Sequence, residues 1–478
     1  MAHAVPHHAP PPVDVLRMVR REAVDRLWKL TACLAVAALV LLVPTTVLTP
    51  PQRTTAFIFA FAAGLWVTEA IPLFATSLLL VALEILLLAL PGQVLSLSKP
   101  DSYKVFFAAA ADPIVALFFG GFMLARAATR YKLDIALARV FLKPFGTRPA
   151  MVLLGVMSIT AAFAMWMTNT ASTAMMLAII APMLDRLDED DRFRKALVLG
   201  VPFGGSFGCI GTPIGTPPNA VAVAVLRQHG YDISFLEWMK AAVPLMLLML
   251  LLGWLLLYAT FPPKQRRIEF ALPAGFRLPL TAYVVAAVFF ITVALWMTSE
   301  LHHIPPSVVA LLPAAVFSTL CILETDDVNS IQWSSLILIA GGIALGIAIR
   351  ETQLDLWLLD HLPLRGASPY MVVGAAALAA LALASVMSHT AAANLVLPIV
   401  ASAGSPDLSH VWVVLVATMA TAFAMGLPIS TPPNALAYAT GEITTRDLLR
   451  TGGVIAVGGT ALVVVTGRAV LAAWGLLD

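Results

Sequence analysis

The stretch AMWMTNTASTAMMLAIIAPML, residues 164–184, carries the polar tripeptide TNT at 168–170 inside sequence apolar enough to lie in a membrane. The stretch SVMSHTAAANLVLPIVAS, residues 385–402, carries the tripeptide SHT at 388–390 in the same setting. Polar groups at membrane depth cost free energy unless they serve a cavity or a bound ion. Because each tripeptide separates two apolar runs, the pattern predicts two re-entrant helical hairpins with polar tips near mid-membrane.

A second motif, TPPN, also occurs twice, in GTPIGTPPNAVAVAV (211–225) and in LPISTPPNALAYATG (427–441). A Pro-Pro pair cannot continue a helix, and Thr followed by Pro makes a good start for a new one. Each TPPN therefore predicts a broken span whose second half-helix begins at the motif. Paired helix breaks at corresponding places in two halves are typical of the binding site of a secondary transporter.

The composition fits this interpretation. Sixty per cent of the 478 residues are hydrophobic and 12% are charged, where soluble proteins average about 25% charged. Apolar stretches long enough to cross a bilayer recur at 31–49, 241–260, 280–298, 368–387 and 411–428. They predict an all-α polytopic membrane protein with about 11 transmembrane spans in contact with lipid. The net charge of +2 says nothing about nucleic acid, because the basic residues lie in loops beside apolar segments, and no nucleic-acid partner is expected.

Two further pairs of segments extend the internal repeat. GGFMLARAATRYKLDIALA (120–138) aligns without gaps with GGIALGIAIRETQLDLWLL (341–359), and WVTEAIP (66–72) is similar to WMTSELHHIPP (296–306). Each half then has the same order of a Trp and Ile-Pro segment, a Gly-Gly segment, a polar tripeptide and TPPN. Four matches in the same order predict an internal structural repeat.

The charges predict that the two halves are inverted relative to each other. Residues 126–148 include six Lys or Arg and one acid, whereas 350–365 include two Arg and three acids. By the positive-inside rule the first segment is cytoplasmic and the second is outside. Basic residues also precede the first span and lie in the connection 261–279. The N-terminus and this connection are therefore predicted inside, and the C-terminus is predicted outside.

These patterns predict four parts of the chain. They are a cytoplasmic tail (1–29), a first inverted repeat with scaffold helices and an inner hairpin (30–262), a cytoplasmic linker (263–279), and a second inverted repeat with an outer hairpin (280–478). The protein is predicted to be a multi-pass protein of the plasma (inner) membrane.

The motifs offer neutral ligands. Hydroxyl and carbonyl oxygens suit small hard cations, and helix N-termini favour an anion. No Lys or Arg lies within the four motifs. A fixed positive charge would remain uncompensated when the carrier returns without solute. Neutral groups instead leave the compensation of the anion's charge to cations bound together with it. The alternative is that these polar residues only satisfy hydrogen bonds between helices.

The segments MWMTNTASTAMM, GTPIGTPPNA, SHTAAANLVLPI and LPISTPPNALAYATG resemble the divalent anion–sodium symporters, the di- and tricarboxylate carrier family. The resemblance implies a homodimeric elevator carrier of C4-dicarboxylates such as succinate, malate and fumarate, coupled to Na⁺ and without an organic cofactor. It implies substrate contacts at Asn169, Thr170, Thr216, Pro217, His389, Thr390, Thr431 and Pro432. It implies sodium ligands at Thr168, Asn169, Gly215, Ser388 and Ser430.

The sequence departs from the family's Ser-Asn-Thr pattern at two positions. Thr168 replaces Ser and keeps the hydroxyl, but His389 replaces Asn and loses the amide oxygen. Imidazole is a poor sodium ligand and, when protonated, repels sodium and attracts carboxylate. Four interpretations stay open: a symporter with fewer sodium ions, a proton-coupled carrier, a sodium-independent dicarboxylate exchanger, or an imidazole that points away and packs.

Other functions are less consistent with the sequence. A cation/proton antiporter or oxyanion efflux protein would carry ionisable acids at the site, but the motifs contain none and the nearest candidates are Glu69 and Glu84. A membrane enzyme would need a nucleophile–base pair, a metal cluster or a DxxxD-type motif, and the sequence of the apolar spans contains no recognisable motif of these kinds. Thr and Asn serve a dicarboxylate, citrate or sulfate alike, so a citrate or sulfate carrier remains an alternative.

Overall fold

The computed structural model describes residues 12–90, 102–268, 278–361, 366–403 and 408–477. Within these ranges the chain is built of α-helices joined by short turns, as predicted. This is the expected solution for apolar sequence, because a helix satisfies its own backbone hydrogen bonds where no water can. Residues 1–11 of the predicted tail and 269–277 of the predicted linker lie outside the described ranges.

The helices of the first half begin and end as follows: α1 Pro12–Ala38, α2 Pro50–Thr68, α3 Leu73–Glu84, α4 Lys104–Ala108, α5 Pro113–Arg130, α6 Leu133–Leu142, α7 Pro149–Ala164, α8 Asn169–Leu184, α9 Phe193–Gly208, α10 Pro217–Gln228 and α11 Phe235–Thr260. Helix α1 starts inside the stretch predicted as a tail and runs past the predicted boundary at residue 30 without a break.

The helices of the second half are α12 Leu280–Met297, α13 Ser299–His302, α14 Pro306–Val309, α15 Leu311–Thr319, α16 Thr325–Asn329, α17 Trp333–Glu351, α18 Leu354–His361, α19 Pro369–Val386, α20 His389–Ala401, α21 His410–Ala422, α22 Pro432–Ala439, α23 Thr445–Val454 and α24 Thr460–Ala473. A π-helical turn at Ile455–Gly459 joins α23 and α24.

Six helical segments in the described residues are long and apolar enough to cross a membrane: Lys104–Arg130, Phe235–Thr260, Leu280–Met297, Trp333–Glu351, Pro369–Val386 and Thr445–Ala473. Six further apolar helices are shorter, among them both helices of the first hairpin and the second helix of the other. Such short helices do not each need to cross the bilayer. The number of about 11 spans therefore stays a prediction.

The Trp and Ile-Pro segments have the same local structure in both halves. The indole Nε1 of Trp66 donates to the first carbonyl of α3 at 3.3 Å, and that of Trp296 donates to the first carbonyl of α14 at 2.9 Å. Between each indole and its acceptor, one residue has left-handed backbone, Glu69 with φ of 47° and His303 with φ of 56°. The matching conformations support the internal repeat predicted from the sequence.

The Gly-Gly helices α5 and α17 also correspond. Each is followed by a left-handed residue, Lys132 with φ of 54° and Gln353 with φ of 57°, and then by the short helix that begins with Leu-Asp. The turn therefore redirects the chain in the same way in each half before the hairpin begins.

The first glycine of each pair lets α5 and α17 approach the other half closely. A methyl group at Gly120 would lie 2.1 Å from the carbonyl oxygen of Ala310, between α14 and α15. A methyl group at Gly341 would lie 2.4 Å from the Cβ of Ser77 in α3. Each Gly-Gly helix thus packs on the helix that follows the Ile-Pro segment of the opposite half.

Ion pairs also join the halves at one end of the bundle. Arg194 at the start of α9 pairs with Glu442 after α22, and Lys195 pairs with Asp447 in α23 at 2.8 Å. Lys264, in the connection between the halves, pairs with Asp190. The hydrogen bond from the Lys264 ammonium lowers the pKa of the Asp190 carboxyl.

Replacing Gly120 with Ala should destabilise the fold by about 1–3 kcal/mol, because the added methyl meets a backbone carbonyl that cannot turn aside. The matched control is Gly374→Ala in α19, where nothing lies within 4 Å of the added methyl. That control should leave the free energy of unfolding unchanged or raise it by up to about 1 kcal/mol, since Ala is the better helix former. Thermal unfolding in detergent compares the two, and equal midpoints would contradict the close packing at Gly120.

Candidate functional site

Both predicted hairpin tips are helix breaks. Helices α8 and α20 begin at the second residue of the tripeptides, and the residue before each is an N-cap. The hydroxyl of Thr168 accepts a hydrogen bond from the Ala171 amide at 3.2 Å, and that of Ser388 accepts one from the Ala391 amide at 3.1 Å. The first position of the tripeptide needs a hydroxyl for this cap, which the change from Ser to Thr preserves.

The TPPN motifs break two more helices, as predicted. Helices α10 and α22 begin at the first proline of each motif, with Thr216 and Thr431 as extended N-cap residues at φ of −154° and −144°. The segments before them, 209–216 and 423–431, are unwound. Their backbone groups cannot use the regular helical ladder and need other partners.

The asparagine that ends each TPPN motif supplies those partners. The Asn219 amide donates to the carbonyls of Cys209 at 2.9 Å and Thr212 at 2.7 Å. The Asn434 amide donates to the carbonyls of Met425 at 3.0 Å and Leu427 at 3.1 Å. Both side chains are fully buried, so these asparagines hold the two unwound segments in shape. Their exact repetition in both TPPN motifs was a signal of this role, which was not predicted from the sequence.

Each hairpin tip also contacts the unwound segment of its own half. In the first half the Thr212 hydroxyl donates to the carbonyl of Met165 at the tip. In the second half the Nε2 of His389 lies 3.4 Å from the carbonyl of Ala424. The tips and the unwound segments therefore form one surface in each half.

These surfaces enclose one cavity of about 480 Å³, here called the motif cavity. Every residue that the resemblance implies as a substrate or sodium contact lines it: Thr168, Asn169, Thr170, Gly215, Thr216, Pro217, Ser388, His389, Thr390, Ser430, Thr431 and Pro432. Residues more than 260 positions apart in the chain thus meet at one place. The individual roles of these residues remain predictions.

The opposite wall of the motif cavity comes from other helices. It is apolar where Leu73, Phe74, Phe118, Phe122 and Leu338 line it, and polar at the start of α17, where Gln332, Ser334 and Ser335 line it. Ile214, from the first unwound segment, adds a further apolar side chain. These residues were not predicted from the sequence. Gln332 and the two serines belong to no repeated motif, so no local signal marked them.

The motif cavity carries no fixed charge, and His389 is the one ionisable side chain among the described residues that line it. Among the described residues that line it none is Lys, Arg, Asp or Glu, and Glu69 and Glu84 lie elsewhere. The side chains of Asn169, Thr170 and Thr390 make no hydrogen bond within the described part of the chain. Their donors and acceptors are available to a ligand, and the first turns of the four half-helices add unpaired amides.

Gly215 is the one position of the unwound segments where a side chain cannot fit. A methyl group there would lie 2.3 Å from the carbonyl oxygen of Cys209. The backbone of the first unwound segment therefore folds back closely on itself beside the motif cavity. At the corresponding place the second segment has Ser430, whose hydroxyl donates to the Leu427 carbonyl at 2.6 Å.

A multi-pass helical membrane protein whose central cavity is walled by paired helix breaks is built as a membrane transporter. The chain belongs to the sodium:sulfate symporter family, whose transmembrane region matches residues 24–477. This result confirms the resemblance to the divalent anion–sodium symporters. It also identifies the protein as a transporter and not an enzyme.

Similar proteins agree with this assignment. The chain is 32% identical over 425 residues to the sodium-dependent dicarboxylate transporter SdcS of Staphylococcus saprophyticus, covering 81% of this chain and 80% of the relative. SdcS of Staphylococcus aureus USA300 is similar to the same extent. The crystal structure of the Alcanivorax borkumensis YdaH transporter matches 85% of this chain and 99% of its own, with a TM-score of 0.51 and 12% identity. That likeness supports the fold alone.

Replacing Asn434 with Ala should loosen the second unwound segment and abolish solute uptake. The change removes two donors from buried carbonyls, and each unsatisfied group costs about 1–3 kcal/mol. The matched control is Thr440→Ala at the other end of α22, where the exposed hydroxyl donates to the nearby Ala437 carbonyl at 2.6 Å and accepts from the Glu442 amide at 3.3 Å. Thermal unfolding in detergent and uptake into proteoliposomes measure both variants. Wild-type behaviour of Asn434→Ala would show that the amide is dispensable.

Proposed function

We propose that this protein carries C4-dicarboxylates such as succinate, malate or fumarate across the plasma membrane together with Na⁺. The observation that carries the proposal is the convergence of all twelve implied contact residues on one uncharged cavity of about 480 Å³. The names of the SdcS relatives, sodium-dependent dicarboxylate transporters, support the same substrate and ion.

The proposed anion lies between the two hairpin tips. Asn169 and Thr170 hold one carboxylate, and Thr390 holds the other, each beside the first turn of a helix whose positive end faces the cavity. Thr216-Pro217 and Thr431-Pro432 close the sides at the start of α10 and α22. Because these groups are dipoles and hydroxyls, they bind a dianion well only when cations neutralise part of its charge.

The proposed sodium sites use oxygen ligands next to the anion. Thr168, Asn169 and backbone near Gly215 form the first, and Ser388 with backbone near Ser430 forms the second. The N-cap hydrogen bonds of Thr168 and Ser388 take one lone pair of each hydroxyl oxygen and leave the other for a cation. Sodium and anion then stabilise each other's binding, which is the coupling that symport requires.

The proposed carrier is a homodimer of elevator type, built of two inverted repeats with the N-terminus inside and the C-terminus outside. The matched local structures of the two halves support the repeats, and the positive charge of residues 126–148 supports the orientation. The homodimer and the elevator motion rest on the resemblance to the family. In this orientation the start of α17, and with it the motif cavity, faces the cytoplasm.

A second candidate function is a carrier that depends less on sodium, and one observation favours it. His389 Nε2 faces the Ala424 carbonyl at 3.4 Å, so a neutral imidazole with its hydrogen on Nε2 donates a hydrogen bond there. The family's Asn would offer an oxygen to the second sodium at this position. The proposed consequence is that one sodium site is weakened, which leaves a symporter with fewer ions, a proton-coupled carrier or a dicarboxylate exchanger.

Proteoliposomes should accumulate labelled succinate when sodium is supplied outside. Thr390→Val should weaken succinate binding about tenfold or more, since it removes a hydrogen bond to a charged group worth about 1.5–3 kcal/mol. Thr466→Val in α24 is the matched control, because that hydroxyl donates to the Leu462 carbonyl and lies outside the motif cavity.

Uptake that requires internal dicarboxylate and ignores sodium would identify an exchanger. Transport of citrate or sulfate without succinate would replace the proposed substrate.

His389→Asn should increase the sodium dependence of uptake, because the amide restores a hard oxygen ligand at the second tip. The measurement is the initial rate of succinate uptake as a function of sodium concentration, for the wild type and the variant. The apparent affinity for sodium, or the steepness of the curve, should rise. An unchanged sodium response would show that His389 does not determine the number of coupled ions.

A further inference from the structure

One pair of corresponding residues has opposite surroundings in the two halves. A Pro-Ile pair lies one residue before each TPPN motif, with Ile214 in the first half and Ile429 in the second. Ile214 is 6% exposed, whereas Ile429 is 88% exposed. Exposing an isoleucine that its counterpart buries costs free energy, so the difference calls for a physical explanation.

The burial of Ile214 comes from the second glycine of α5. A methyl group at Gly121 would lie 3.4 Å from the Ile214 Cδ1 and 3.8 Å from its Cβ. Ile214 therefore rests in the space that the missing side chain of Gly121 leaves open.

The corresponding glycine of α17, Gly342, is covered by a different residue. A methyl group there would lie 2.0 Å from the Oδ1 of Asn394 in α20, whose amide donates to the Leu338 carbonyl at 3.1 Å. In the second half the outer hairpin therefore occupies the surface that corresponds to the Ile214 contact. The surface itself is present in both halves.

A second cavity, of about 570 Å³, lies on the other side of the Ile214 contact; we call it the flanking cavity. Pro113, Ile114 and Leu117 of α5 line it, and the same register positions of α17, Ser334, Ser335 and Leu338, line the motif cavity. The neighbours Pro213 and Ile214 line the flanking cavity and the motif cavity respectively. The two cavities are therefore bounded by corresponding parts of the two repeats.

We propose that Ile214 and Ile429 exchange burial when the carrier changes access, and that the flanking cavity receives the solute in the other state. Ile429 then packs on Gly342 and closes the motif cavity, while Ile214 leaves Gly121 and opens the path to the flanking cavity. The proposal rests on the proposed alternating transport and names the residues that make the two states alternatives. Asn394 must leave Gly342 for the exchange to occur.

The exchange keeps the contribution of the two isoleucines equal in both states. One isoleucine is buried and one exposed in each state, so differences in solute or ion binding shift the population. The walls also differ in polarity. The start of α17 offers the side chains of Ser334 and Ser335, whereas the corresponding α5 positions offer Pro113 and Ile114.

Disulfide trapping tests the exchange, since it accumulates even a minor state. The background replaces Cys33, Cys209 and Cys321, the free cysteines of the described chain. Gly121→Cys with Ile214→Cys should form a disulfide on oxidation, because the Cβ separation of 3.8 Å suits the bond. Gly342→Cys with Ile429→Cys, in an Asn394→Ala chain that makes room, should form one only if the exchange occurs. Gly121→Cys with Ile429→Cys is the matched control and should form none.

Formation of both expected disulfides, with none in the control, supports the proposal; a 121–214 disulfide without the 342–429 disulfide overturns it. A second measurement tests the proposal if the Gly342→Cys chain does not fold. Ile214→Ala should slow maleimide labelling of Ile429→Cys several-fold by favouring its burial, while Ile291→Ala on the exposed face of α12 should not. Equal labelling would also overturn the exchange. Neither measurement needs a transported solute, so absence of succinate uptake would count against the proposed function alone.

Discussion

The fold depends on one constraint, that unwound backbone inside a membrane protein must find hydrogen-bond partners without water. The chain interrupts four helices at the tripeptides and the TPPN motifs. Each interruption is compensated locally: Thr168 and Ser388 cap the helices that follow the tips, and Asn219 and Asn434 hold the unwound segments. Two residues that the resemblance marks as sodium ligands, Thr168 and Ser388, therefore also stabilise the breaks.

The same compensation gives the motif cavity its electrical character. The polar groups required to satisfy backbone are hydroxyls and amides, and the described lining contains no permanent charge. A dianion in such a site is neutralised only by cations that travel with it. A guanidinium or ammonium at the tips would bind the anion more strongly, but the empty carrier would then have to move that charge back without compensation.

The sequence predicted the features that local chemistry determines. Proline pairs, hydroxyl caps and tripeptides between apolar runs located all four breaks, and their repetition placed Asn169 and Thr390 in one cavity. What the sequence could not predict depends on packing between distant segments. Gln332, Ser334 and Ser335 line the cavity only because α17 starts opposite the tips. The number of spans also escapes local analysis, since several apolar helices are too short to cross alone.

The internal repeat makes this structure informative about a state other than its own. The two halves share local conformations down to single left-handed residues at Lys132 and Gln353, so differences between them do not come from local sequence preference. They arise where one half packs on its surroundings and the other does not, as at Ile214 and Ile429. In a repeat protein such an inequality identifies the contacts that can be exchanged, and the glycines of α5 and α17 provide the two equivalent surfaces on which the exchange can take place.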